Sequence, residues 1–269
     1  MFILLSTIVS ALILGLMYHY SQTRQLDYKR KYELVASLRQ LVNHCRQHRT
    51  QTHMALLGNT AENDQIKSIE KNTHQLIRKI VEDASFDDKP TYRILQKRFE
   101  NLSAEWHEMS VSKNQMAHGK TIRHCLFLID EIMLVWLLEK EHSDLNDTYN
   151  DTWQLVIDTL ESLTQFRIAI QNIDTESDSH QLRMQATRLN RKLNKLSLLN
   201  PMVYSAPISV HARTQLTALS SESETSRTQA ELYKISSDVS LVIFYAYDQV
   251  LESVAEMFYQ PLPKLVKTA

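Results

Sequence analysis

The sequence predicts an all-α protein: an N-terminal transmembrane helix followed by up-down helical bundles, either two four-helix bundles, the favoured arrangement, or one elongated bundle. Three observations carry this. Among 269 residues there are only 3 glycines and 5 prolines against 43% hydrophobic residues, too few turn formers for a strand-and-turn fold. Long segments place apolar residues three and four positions apart, the period of an amphipathic helix. The first twenty residues are apolar and uncharged.

The elements follow in chain order. Residues 2–20, FILLSTIVSALILGLMYHY, span a hydrocarbon core of about 30 Å at about 1.5 Å per residue. A cleaved signal peptide carries basic residues ahead of its apolar run and a small-x-small cleavage site. Here no Lys or Arg precedes the run and Tyr18-His19-Tyr20 closes it, so an uncleaved anchor is expected. Arg24, Lys29, Arg30 and Lys31 follow directly. By the positive-inside rule, they place a single-pass protein in the cell inner membrane with its C-terminal part in the cytoplasm. The first helix beyond the anchor runs to Leu57 and stops at Gly58-Asn59, a glycine C-cap. A second spans about 61–85, and Pro90 opens a third that ends near Ser110. The fourth, about 112–142, contains CLFLIDEIMLVWLL, too short to cross a bilayer and interrupted by Asp130 and Glu131. A fifth covers about 147–173 and a sixth 177–199. NPMVYSAP, residues 200–207, interrupts the chain, a seventh helix reaches about Glu224, and an eighth ends before Pro261 and Pro263. SSESETS, residues 220–226, is the most loop-like run. The expected organisation is an anchor at 1–20, a first bundle at 21–143 and a second at 144–269.

Composition narrows the function classes. Gly15, Gly58 and Gly119 lie far apart, so neither a P-loop nor a dinucleotide-binding glycine fingerprint can form. A net charge of −1 provides no basic field for nucleic acid. Cys45 and Cys125 read as reduced, buried thiols. His44 and His48 have the i, i+4 spacing of a zinc pair, but His53 points away and no Glu follows His44 directly, so no metal is expected. No nucleophile elbow is visible, and neither an enzyme nor a cofactor is expected. Val239 to Tyr247, VSLVIFYAY, is denser in aromatics than one bundle stripe requires; packing between bundles is the expectation, with a homodimer or partner face as the alternative.

The chemistry points to arginine. At about 100° per residue, Leu34, Leu38, Leu41, Val42, Cys45, Thr52 and Leu56 form one helix face, and Arg49 projects within it. Arg39 and Arg46 fall on its border. In the fifth helix, Trp153, Val156, Ile157, Leu160, Leu163 and Ile170 form a face that contains Arg167. An unpaired buried guanidinium costs several kcal/mol, so each needs a partner. A core salt bridge to Asp130, Glu131 or Glu161 is one solution. The other uses both forks on one small planar oxyanion. Gln47 and Gln165 each precede the arginine by two positions, as in a duplicated unit.

The stretch QHRTQTHMALLGN, residues 47–59, resembles the Q-H-R-G-x-S-x-x-x-L-x-G-[ND] segment of the NIT domain, the nitrate- and nitrite-sensing domain of bacterial receptors, and WQLVIDTLESLTQFRIAI, residues 153–170, resembles its later helix. The likeness spans roughly 34–198. It implies two four-helix bundles that bind nitrate or nitrite through arginines, with Arg49 at the motif position, Arg167 as its later counterpart and Arg46 as a further candidate. Thr50 stands where the family has Gly, and its side chain is expected to fill space used by a close helix or a ligand. Family members hand the signal to a fused module, and none is visible here, so a separate downstream protein is expected. The alternative is a ligand-free helical scaffold at the inner membrane whose arginines pair internally.

Overall fold

A computed structural model describes residues 2–58, 63–85, 87–139, 143–173, 176–199, 201–221 and 227–265. Among them the chain forms α1 (Phe2–Leu56), α2 (Asn63–Asp83), α3 (Lys89–Glu105), α4 (Val111–Glu139), α5 (Ser143–Gln171), α6 (Glu176–Leu199), α7 (Pro201–Ser205), α8 (Pro207–Ser221) and α9 (Gln229–Phe258), with no strand. A short 3-10 turn, Trp106–Glu108, leads from α3 towards α4.

The helix ends follow from local chemistry. Gly58 takes φ of 75°, where L side chains are strained, and its N–H closes on the Ala55 carbonyl at 3.1 Å. Pro90 lies in the first turn of α3, where its missing N–H costs nothing. Thr228 opens α9 with a capping box: its hydroxyl accepts from the Glu231 N–H, and the Glu231 carboxylate accepts from the Thr228 N–H.

Packing brings α1 against α2 and α4, with α3 between α2 and α4. In the second half, α5 packs on α6 and α9, with α8 between α6 and α9. The halves meet where α4 lies beside α5 and where side chains of α1 reach α9. Leu38, Leu41, Leu95, Phe99 and Trp136 from the first half and Phe166, Leu189, Leu216 and Val239 from the second belong to one continuous buried core. Cys45 on α1 and Cys125 on α4 are both free and buried. Their hydrogen bond, and then burial, hold the Cys125 thiol well above its ordinary range.

Several elements differ in extent from the expected ones. Anchor and first helix are one continuous helix of 55 residues, about 80 Å long at 1.5 Å per residue. From Tyr28 onward α1 contributes to the core, while residues 6–26 are exposed on every side. Among the described residues no helix is long and apolar enough to cross a membrane. The side chains of residues 2–5 lie outside the described set, and the apolar run that remains, 6–17, has a rise of only about 18 Å. The 200–207 interruption is itself partly helical: α7 occupies it, and α8 starts at Pro207. Most of the expected SSESETS loop, residues 222–226, lies outside the described residues.

Candidate functional site

Arg49 on α1 and Arg167 on α5 both turn into the seam between the two halves, each 8% exposed. Their only hydrogen-bond partners among the described residues are on α9. Arg49 donates to the Ser240 hydroxyl at 3.5 Å. Arg167 donates through Nε to the Ser236 hydroxyl at 3.1 Å and through Nη2 to the Ser236 carbonyl at 3.3 Å. Ser236 and Ser240 are one turn apart on the buried face of α9, so one helix supplies both arginines. Sequence reasoning missed these serines; small hydroxyls spaced i, i+4 within the apolar run of α9 were the available signal.

Arg46 completes a cationic group. Its guanidinium carbon sits 4.3 Å from the centre of the Phe244 ring, and its Nε is buried without a hydrogen-bond partner. Burial pushes Arg46 down to about 10, opposed by Asp248. Arg167 is pushed down to about 10 by burial and by the charge of Arg46. Arg49 is held well below its usual range by burial, then by Arg167 and Arg46. Three cations thus repel one another in a poorly solvated seam.

The acids expected to neutralise them are engaged elsewhere. Glu161 is exposed and pairs with Arg123 at 2.9 Å. Asp130 accepts from the Tyr149 hydroxyl at 3.0 Å. Glu131 is exposed. Asp248 pairs with Arg39 at 2.6 Å, and Arg39 also donates to the Pro263 carbonyl at 2.8 Å. Among the described residues no carboxylate lies within ion-pair distance of Arg46, Arg49 or Arg167.

A cavity of about 40 Å³ lies against the pair. Arg49 and Arg167 supply its charge; Gln115, Gln171 and Thr164 supply polar groups, and Leu160 and Phe244 supply apolar wall. The space admits a few heavy atoms. The Gln115 amide oxygen is buried and unpartnered. Phe244 also borders a second cavity of about 10 Å³, which Arg46 lines.

Thr50 corrects an expectation. It is exposed, and its hydroxyl bonds back to the Arg46 carbonyl at 3.1 Å, so it fills no space in the seam. His48 turns into the first half, where Nδ1 lies 2.8 Å from His118 Nε2 and Nε2 lies 3.0 Å from Glu70. His118 Nδ1 reaches the Asn114 carbonyl at 2.8 Å. A carbonyl only accepts, so His118 Nδ1 carries the proton and its Nε2 accepts from His48 Nδ1–H. Among the described residues no group of three or more His, Cys, Asp or Glu is arranged to hold a metal ion.

No family model, curated protein or solved structure matches the chain.

Proposed function

We propose that the chain is a membrane-anchored, NIT-like sensor in which two four-helix bundles, α1–α4 and α5, α6, α8 and α9, hold a small planar oxyanion such as nitrate or nitrite at their seam. The observation that carries this reading is the pair of buried guanidinia, Arg49 and Arg167, which border one small cavity and, among the described residues, meet hydroxyls but no carboxylate. A guanidinium presents planar N–H donors that match a planar oxyanion, and an anion there relieves the repulsion that lowers Arg49. Arg46, over the Phe244 ring, adds charge and contributes attraction, not direct contact.

Signalling follows from α1. Arg49 and the exposed N-terminal segment belong to one unbroken helix, so drawing Arg49 towards Arg167 tilts or shifts the whole rod. Residues 2–20 seat that rod in the inner membrane, and the basic residues after them keep the bundles in the cytoplasm. A separate downstream protein reads the movement.

Thermal unfolding of the full chain in detergent tests the reading, with sodium nitrate, nitrite and chloride at equal ionic strength. Ligand at a hundredfold excess over Kd stabilises by about 2.7 kcal/mol. Nitrate or nitrite should raise Tm and chloride should not; Arg49→Ala should abolish the response. Equal Tm in all three salts would leave a ligand-free scaffold.

A further inference from the structure

His53 lies one helical turn beyond Arg49 and is 6% exposed. Its ring packs on Tyr233 with centroids 4.1 Å apart. Both ring nitrogens are buried and neither has a hydrogen-bond partner. That is costly, since an unmade hydrogen bond at a buried polar atom forfeits about 1–3 kcal/mol. The charged and titratable groups that bear on His53 are Arg49 on its own helix, Arg167 on α5 and Tyr233 on α9. His118, which also feels Arg49, is already satisfied by the Asn114 carbonyl and His48.

We propose that His53 makes the anion site proton-linked: an anion seated at Arg49 and Arg167 is bound together with one proton, which goes from solvent to a ring nitrogen of His53. The inference rests on the anion reading above. With the site empty, burial opposes a charge on His53 and the cations Arg167 and Arg49 oppose it further, which places the ring at about 4. An anion between the guanidinia cancels the part of that opposition that Arg167 and Arg49 supply. His53 does not border the cavity, so it acts through the arginines as a positioning residue. Linkage is reciprocal, so acid must strengthen anion binding as much as the anion strengthens proton binding.

The test is calorimetric titration of the full chain in detergent with sodium nitrate from pH 5 to 8, in two buffers of different ionisation heat. Proton uptake per nitrate should rise towards one as pH falls. Affinity should tighten by up to tenfold per pH unit in that window. His53→Gln should bind nitrate at pH 8 much as wild type does and lose the pH dependence. Nitrate bound without proton uptake at every pH overturns this inference alone; no nitrate binding at any pH overturns the anion reading and this with it. Because the variant could fold poorly, the wild-type ring provides a second measurement. The imidazole titration of ¹⁵N-labelled His53, followed with and without saturating nitrate, should move to higher pH with nitrate, and an unmoved titration refutes the linkage.

Discussion

Arg39 and Arg49 are three turns apart on α1 and equally buried, yet their surroundings are opposite. Arg39 has an acid at 2.6 Å and a carbonyl at 2.8 Å. Arg49 has one long hydrogen bond to a hydroxyl and two cationic neighbours. Removing the acid from the first pair strands a buried cation, so Asp248→Asn should cost about 3–5 kcal/mol in a denaturant titration. Replacing the second cation with an apolar side chain of similar length removes a charge that the protein does not compensate. Arg49→Met should therefore stabilise the anion-free chain by about 1–4 kcal/mol while abolishing its response to nitrate. At about 2–4 °C per kcal/mol for a chain of this size, a thermal scan resolves the gain. If Arg49→Met destabilises as strongly as Asp248→Asn, the protein already compensates Arg49.

Among the elements, two glycines with equally open surroundings should respond with opposite sign. Nothing lies within 4 Å of a Cβ built on Gly58 or Gly119, so neither substitution meets a clash. Gly58 has φ of 75°, and Gly58→Ala should cost about 1 kcal/mol through backbone strain alone. Gly119 lies inside α4, where Ala is the better helix former, and Gly119→Ala should stabilise by about 0.5–1 kcal/mol in the same urea titration. At the start of α9, Thr228→Ala removes the capping hydroxyl and should cost about 1 kcal/mol. This local chemistry was legible in the sequence: Gly58 and Pro90 mark the helix ends they were read to mark, and the 3.6 period put Arg49 and Arg167 inside apolar stripes. Partners distant in the chain were not legible. The acid for Arg39 lies 209 positions away, and periodicity within one helix carries no information about which other helix faces it. Ser236 and Ser240 were hidden because serine in a helix reads as filler until an arginine from another helix meets it. Asp130 was a reasonable partner for a core arginine, but Tyr149, on the adjacent helix, holds it instead.

At the scale of the whole molecule, buried neutral histidines determine how stability responds to acid. Burial depresses His118, His53, His44 and His124 below their ordinary value of 6.5, with the charge of His48 adding at His118, of Arg167 and Arg49 at His53, and of Arg98 at His124. In the unfolded chain each of these titrates near 6.5. Below that pH the unfolded state binds protons that the folded state refuses, so stability falls. More than a unit above pH 6.5 both states hold these rings neutral, and their contribution to the pH dependence vanishes. Each such histidine costs about 1.4 kcal/mol per pH unit once the unfolded ring is fully protonated. Between pH 6.5 and 5, above the ordinary carboxylate range, unfolding should take up more than one proton, read from the slope of unfolding free energy against pH. The seam adds a condition to that slope. If an anion at Arg49 and Arg167 draws a proton onto His53, then nitrate at saturation removes one histidine from the set that resists protonation. The acid-side slope should become shallower by up to one proton with nitrate, and Arg49→Met should lose that nitrate effect. A slope that is identical with and without nitrate, in a chain whose Tm nitrate does raise, would mean that anion and proton bind independently.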